Sequence, residues 1–485
     1  MPGNYKSSIP DPGSHHSVLP HGLHQEAARQ HSRRRAVILS MRMFSAATLG
    51  LLVLSLALVG CGEVNPPYSA LVRYVLRTDP LVLTDKLGDE VNPDGSRFDP
   101  DRPGQLPLLA MKELLDPSHP FHPSRAKVRA KKEWFDKGLL RDPNDVSPKD
   151  RADLDDYLTQ IFGTPASPTV GMIPDEQREA LKLDLVTLER GSVLYRVHCL
   201  HCHGVNGDGR GPTARWINPH PRDYRQGLFK FQSVDQTDAP RPPRRADLHH
   251  VIKVGIEATA MPSFALLGDS DIDLLVSYVM HLSIRGEVEY ETFKGDFEPD
   301  TETGALVLSP ERPMQTTLPQ RTRNVANKWS ESQEREIQIV AYPAKYTEGG
   351  KKAMMESVAR GKDLFNAIGV EGKVANCVSC HVDYGRQAKF RFDSWGTLVR
   401  PNNLTQGIYR GGRRPIDLYY RIHSGINGSG MVSFGKQLKN ESIWDLINFV
   451  QTLPYPAMRR ERGINIDEPA PLPVAPPPDK VAAKP

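Results

Sequence analysis

Cys199-Leu200-His201-Cys202-His203 and Cys377-Val378-Ser379-Cys380-His381 follow one pattern, C-x-x-C-H, and use four of the five cysteines in a chain of 485 residues. That pattern is the attachment signal for c-type haem. Two thiols three positions apart on one turn reach the two vinyl groups of a single porphyrin, and the adjacent histidine then lies under the iron as proximal ligand. A redox disulfide and half of a zinc site compete for one such motif. Its recurrence, with only Cys61 left over, selects two covalently bound haem c groups, held by Cys199, Cys202 and His203 and by Cys377, Cys380 and His381.

Outward from these motifs the flanks repeat, and a long-range repeat predicts two similar domains. Arg190-Gly191-Ser192-Val193-Leu194-Tyr195 precedes the first motif and Arg360-Gly361-Lys362-Asp363-Leu364-Phe365 the second. Downstream, Pro221 to Lys230 matches Pro401 to Arg410. Leu248, Gly255, Met261 and Phe264 keep the same offsets as Leu418, Gly425, Met431 and Phe434. Each copy closes on a helical pattern, Leu275 to Val279 and Leu446 to Val450. The fixed offset from glycine makes Met261 and Met431 the candidate distal ligands. Histidine below and thioether above give a six-coordinate haem of raised potential, suited to electron transfer. Met261 is followed by Pro262, which stiffens the loop, whereas Val432 follows Met431. His249, His250 and His423, upstream of the methionines, are the competing ligands, and Met280 and Met314 fall outside the repeat.

Both copies resemble class I cytochrome c domains, and are similar to the tandem haem domains of the dihaem subunit of cbb-type cytochrome oxidases. The resemblance covers residues 181–290 and 351–456. It implies a mainly α fold in which an N-terminal helix crosses a C-terminal one, with Gly191 under Tyr278 and Gly361 under Phe449. Glycine fits such a crossing because it lacks Cβ. It also implies a proline carbonyl that accepts the proximal histidine's ring N–H, with Pro221 and Pro401 as candidates and Pro212 as an alternative in the first copy. Trp216 and Trp395 are expected on haem or core. Asn206 to Gly211 is glycine-rich but lacks the strand and helix of a phosphate loop, and is expected as a tight loop at the porphyrin edge.

The rest of the chain divides by composition. Residues 1–60 read as a leader and signal peptide: Arg33, Arg34, Arg35 and Arg42 flank an uncharged run from Met43 to Gly60. The run ends Leu58-Val59-Gly60-Cys61, which resembles the bacterial lipoprotein signal and predicts a lipid anchor at Cys61; an uncleaved membrane helix is the alternative. Residues 61–180 read as a partly ordered, Pro- and charge-rich stalk or docking segment. Within it Ser147-Pro148-Lys149-Asp150 predicts a helix start, and Leu154, Tyr157, Leu158 and Ile161 one apolar face; Arg125 to Leu140 is a second, basic helix candidate. Residues 291–350 form a connector in which Glu336 to Tyr342 alternates like a strand. Gln232 to Pro243, extra to the first copy, reads as a surface loop, and residues 457–485 as a Pro-rich tail.

Composition bounds the function. A mean hydropathy of -0.46 excludes a polytopic membrane protein. The formal charge of +4 is carried by the first 60 residues, so the neutral body offers nucleic acid no electrostatic footprint. The sequence therefore predicts a membrane-tethered dihaem cytochrome on the periplasmic or other extracytoplasmic face. It would pass single electrons between a membrane oxidoreductase or oxidase and a redox partner protein. Two other readings are a haem enzyme of peroxidase or sulfur-compound dehydrogenase type, with one displaceable axial ligand, and a fixed cytochrome subunit of a larger complex.

Overall fold

Ser147 opens the first long helix as its pattern predicts: its hydroxyl accepts the Asp150 N–H (3.1 Å), and Pro148 occupies the first turn, where no partner for an N–H is needed. This helix, α1, runs Pro148–Phe162 and buries Leu154, Leu158, Ile161 and Phe162. After it come α2 (Leu185–His198), α3 (Arg245–Val254), α4 (Asp269–Gly295) and α5 (Met314–Gln333). The second copy supplies α6 (Gly350–Phe365), α7 (Pro415–Ser424) and α8 (Asn440–Thr452). The computed structural model describes residues 66–79, 81, 82, 140–300, 305–388, 391–393, 395 and 398–466. The leader, the apolar run, Cys61, the basic helix candidate except for Leu140, and the tail from Pro469 lie outside the described residues. No helix among the described residues is long and apolar enough to cross a membrane.

The two helix crossings form where glycine predicts them. A Cβ at Gly191 of α2 would stand 2.5 Å from the Leu274 carbonyl oxygen and 3.0 Å from Tyr278 Cβ of α4. A Cβ at Gly361 of α6 would stand 2.8 Å from Phe449 Cβ of α8. Around each crossing lies a core: Leu188, Tyr195, Leu275 and Tyr278 in the first copy, Val358, Phe365, Leu446 and Phe449 in the second. Asp445 ties the second crossing together, accepting from Ser357 Oγ and Tyr346 OH (both 2.6 Å) and from Arg360 Nε (2.7 Å).

Three sequence expectations change in the structure. The described parts of residues 61–180 are not a stalk. Tyr74, Leu76 and Leu81, with the apolar face of α1, belong to the first core. The connector does likewise through Met314, Leu318, Val325 and Trp329 of α5. The cause is α4, which runs on past the repeat to Gly295 and is buried on all sides from Leu275 to Glu289. Its extension carries Ile284, Val288 and Phe293, which need cover. Its charges are buried too, so Arg285 pairs with Glu289 at 3.0 Å, and Glu289 also accepts the Arg77 N–H. Glu287 accepts the Trp329 indole N–H at 3.0 Å. Second, Glu336 to Tyr342 forms only an isolated bridge, Val234 with Glu336. Third, the extra loop of the first copy is not wholly at the surface: Ser233 and Val234 are buried. The Ile337 N–H donates to Ser233 O (2.9 Å) and Ser424 Oγ to Val234 O (3.0 Å), so this loop seals the junction between the copies.

Candidate functional site

The first C-x-x-C-H motif follows directly on α2, whereas in the second copy a short helix, Gly369–Ala375, stands between α6 and the motif. The Cys199 N–H closes α2 on Tyr195 O (2.8 Å), and His203 N bonds Cys199 O (2.9 Å); in the second copy His381 N bonds Cys377 O (2.8 Å). No disulfide joins the four cysteines of the motifs. Burial pushes the thiols of Cys199 and Cys377 up to about 12, so both are neutral near pH 7. The loop after the first motif winds back over it: Gly209 N donates to His203 O and Gly211 N to Cys202 O. Gly207 and Gly209 both have positive φ, and a Cβ would strike Tyr224 from Gly207 and Pro221 O from Gly209. Asn206 to Gly211 is thus the tight loop the sequence predicts.

The proximal histidines are held alike. His203 Nδ1–H donates to a backbone carbonyl at 3.0 Å and His381 Nδ1–H to another at 3.2 Å, which turns each Nε2 to the opposite side of its ring. The acceptors are Arg222 O and Asn402 O, one residue beyond the expected Pro221 and Pro401; Pro212 is not used. The shift has a local cause in the first copy, where Pro221 O packs against Gly209. Tyr224 stacks on the His203 ring with centroids 4.7 Å apart. Burial holds His203 down at about 4, so its imidazole is neutral and able to ligate a metal at pH 7.

The two methionine loops are also one construction. Ile256 N donates to Met261 O (3.1 Å) and Ile426 N to Met431 O (3.0 Å). Ser263 Oγ and Ser433 Oγ each donate to a helix-end carbonyl, Lys253 O and His423 O, at 2.7 Å. Gly255 and Gly425 end α3 and α7 with φ of 74° in both. Val432 is 60 % exposed, so the missing proline costs no packing. Met261 packs on the edge of the first core. In the second copy, Cys377, Cys380, His381 and Met431 all line one cavity of about 490 Å³, with Phe365, Leu404, Phe434 and Leu446 among its apolar walls. His423 does not line it; its ring lies against Gly435. His249 pairs at the surface with Asp269, 3.6 Å away.

Two cysteines outside any disulfide, a histidine oriented by a backbone carbonyl and a methionine around one apolar cavity match what a covalently held porphyrin requires. Neither Trp216 nor Trp395 belongs to a core. Trp216 is 57 % exposed under the Arg215 guanidinium. Trp395 lies at the junction, its indole N–H donating to Asp223 O (3.1 Å) and its ring beneath Arg222, 3.5 Å from the guanidinium carbon. Sequence reasoning also missed Tyr224, although the repeat flagged its segment.

The family model for cytochrome c matches residues 188–283 and 358–454, the same two segments that these crossings and loops define. The chain therefore carries two tandem cytochrome c domains in a mainly α fold. Such domains make it a haem protein of electron transfer, with haem c covalently bound. Among solved structures, the reducing HAO-like protein complex of Kuenenia stuttgartiensis is similar at 22% identity, with a TM-score of 0.38, over 55% of this chain and 96% of that one. No curated protein matches the chain.

Proposed function

We propose that this protein is a membrane-tethered dihaem cytochrome c on the extracytoplasmic face, relaying single electrons between a membrane oxidoreductase and an acceptor protein. In this reading Cys199 and Cys202 hold one haem and Cys377 and Cys380 the other. His203 and His381 are the proximal ligands, Met261 and Met431 the distal ones, and Cys61 carries the lipid. The observation that supports it best is duplication at atomic detail: two histidines donating Nδ1–H to carbonyls, and two methionine loops closed by the same pair of hydrogen bonds. When bound, haem supplies a one-electron iron couple. The chain's own residues would hold that group, His203 and His381 through Nε2 and Met261 and Met431 through their thioethers, with apolar side chains about the site to exclude water.

Mass spectrometry of the mature chain tests the assignment. The expected mass carries two haems and an acylated Cys61 as first residue, and free thiols at Cys199 or Cys377 would overturn it. Purification of the native protein in mild detergent then separates carrier from subunit. A carrier is expected to run alone, and stable co-purification with an oxidoreductase would establish the subunit reading instead.

A further inference from the structure

The cavity of the second domain is walled in part by the first. Lys230 and Phe231, from the first copy, line it together with Lys373, Arg400, Arg410 and Arg421 of the second. No carboxylate is among the residues that line it, so the lining is basic. Haem c brings two carboxylates of its own, and cationic side chains are the chemistry that receives them; Lys230 and Arg421 are the sheltered members of this wall, while Lys373, Arg400 and Arg410 are exposed.

Lys230 is fixed in this position, not draped over the surface. Its ammonium is 3.0 Å from Asp393 Oδ2 and 5.5 Å from the centre of the Trp395 ring, with the side chain 16 % exposed. Phe231 beside it packs on Gly411, where a Cβ would collide with the ring. Burial, and then Arg222 nearby, bring the Lys230 amine down to about 8 in spite of the Asp393 carboxylate beside it. In the repeat Lys230 corresponds to Arg410, so one basic position from each copy converges on the same cavity.

We propose that Lys230 of the first domain is a binding residue for the carboxylates of the second haem, so that the second site is completed by the first domain and its potential depends on it. The inference rests on the haem reading above. A positive charge at the carboxylates favours the reduced, electron-rich haem, so its removal lowers the potential.

The test is a potentiometric titration of the intact holoprotein, with the second haem identified by its absence from a Cys377→Ser/Cys380→Ser variant. Lys230→Met is expected to lower the potential of the second haem and leave the first in place. Lys230→Arg is expected to hold the wild-type value. Asp393→Asn, which removes the competing anion, is expected to raise it. Shifts of the same sign in Lys230→Met and Asp393→Asn would mean that the pair only pins the junction, and an unchanged second haem in Lys230→Met would equally overturn the proposal. A wild-type chain with fewer than two haems by pyridine haemochrome would instead remove the reading on which it rests.

Discussion

At the residue scale, Met431 and His281 bear the sharpest expectations. Met431 sits on a loop whose hydrogen bonds copy those of Met261, but Gly425, Gly428 and Gly430 all have positive φ around it. A glycine-rich loop loses more entropy when its sulfur is held on iron. Imidazole or cyanide is therefore expected to displace Met431 before Met261. Met431→Ala is expected to turn one haem high-spin and lower its potential, read by optical and spin-resonance spectra. Two unaltered low-spin haems in that variant would assign the ligand elsewhere. His281 is buried in α4, and its Nε2–H donates to Phe162 O (3.1 Å) and Thr169 O (2.9 Å). Burial lowers its pKa to about 4. The unfolded chain takes up this proton near pH 6.5 and the folded one only near 4, so stability is lost as pH falls through that window, by roughly 2–3 kcal/mol. Urea midpoints at pH 7 and pH 4.5 should fall further apart in wild type than in His281→Gln. An equal drop in both would place the acid sensitivity in other groups.

At the element scale, the first cap was legible because it rests on a local rule, and the helix crossings through the resemblance to cytochrome c domains. Gly361 is where backbones must approach, and a bulky residue there meets Phe449. Gly361→Leu is expected to destabilise the second domain by about 1–3 kcal/mol through overpacking, seen as a lower denaturation midpoint. An unchanged midpoint would mean that α6 and α8 can part without cost. Ser147→Ala should cost about 1 kcal/mol, since it leaves the Asp150 N–H without its side-chain acceptor. The continuation of α4 to Gly295 was not legible. From Ser277 to Glu289 polar and charged residues alternate with apolar ones, and that pattern reads as half-exposed. Only the wrapping by Tyr74, Leu76 and α5, with ion pairs inside, makes burial on every side tolerable.

At the scale of the whole molecule, the junction between the copies decides more than either copy alone. Trp395, expected on haem or core, bonds Asp223 of the other copy and covers Gly428 of the Met431 loop. Gly411, with φ of 82°, admits Phe231 only because it lacks Cβ. Gly411→Val should pry the junction open, and faster hydrogen exchange at the amides of Ile337 and Gln236, which donate across it, would report this. Protection as in wild type would show that Phe231 can move aside.

The sequence by itself determined the haem chemistry, the duplication and the candidate ligands, because C-x-x-C-H and the Gly-to-Met offset act over a few residues of contiguous chain, while the crossing glycines were legible through the resemblance to cytochrome c domains. It placed the histidine-orienting carbonyl to within one residue and missed, since a backbone acceptor has no side-chain signature. The tertiary structure alone decided that the described parts of the flanking segments pack into the core. It also brought Lys230, Arg222 and Trp395 together at a shared wall. Those contacts join residues far apart in the chain, and no periodicity or spacing encodes a partner at that distance.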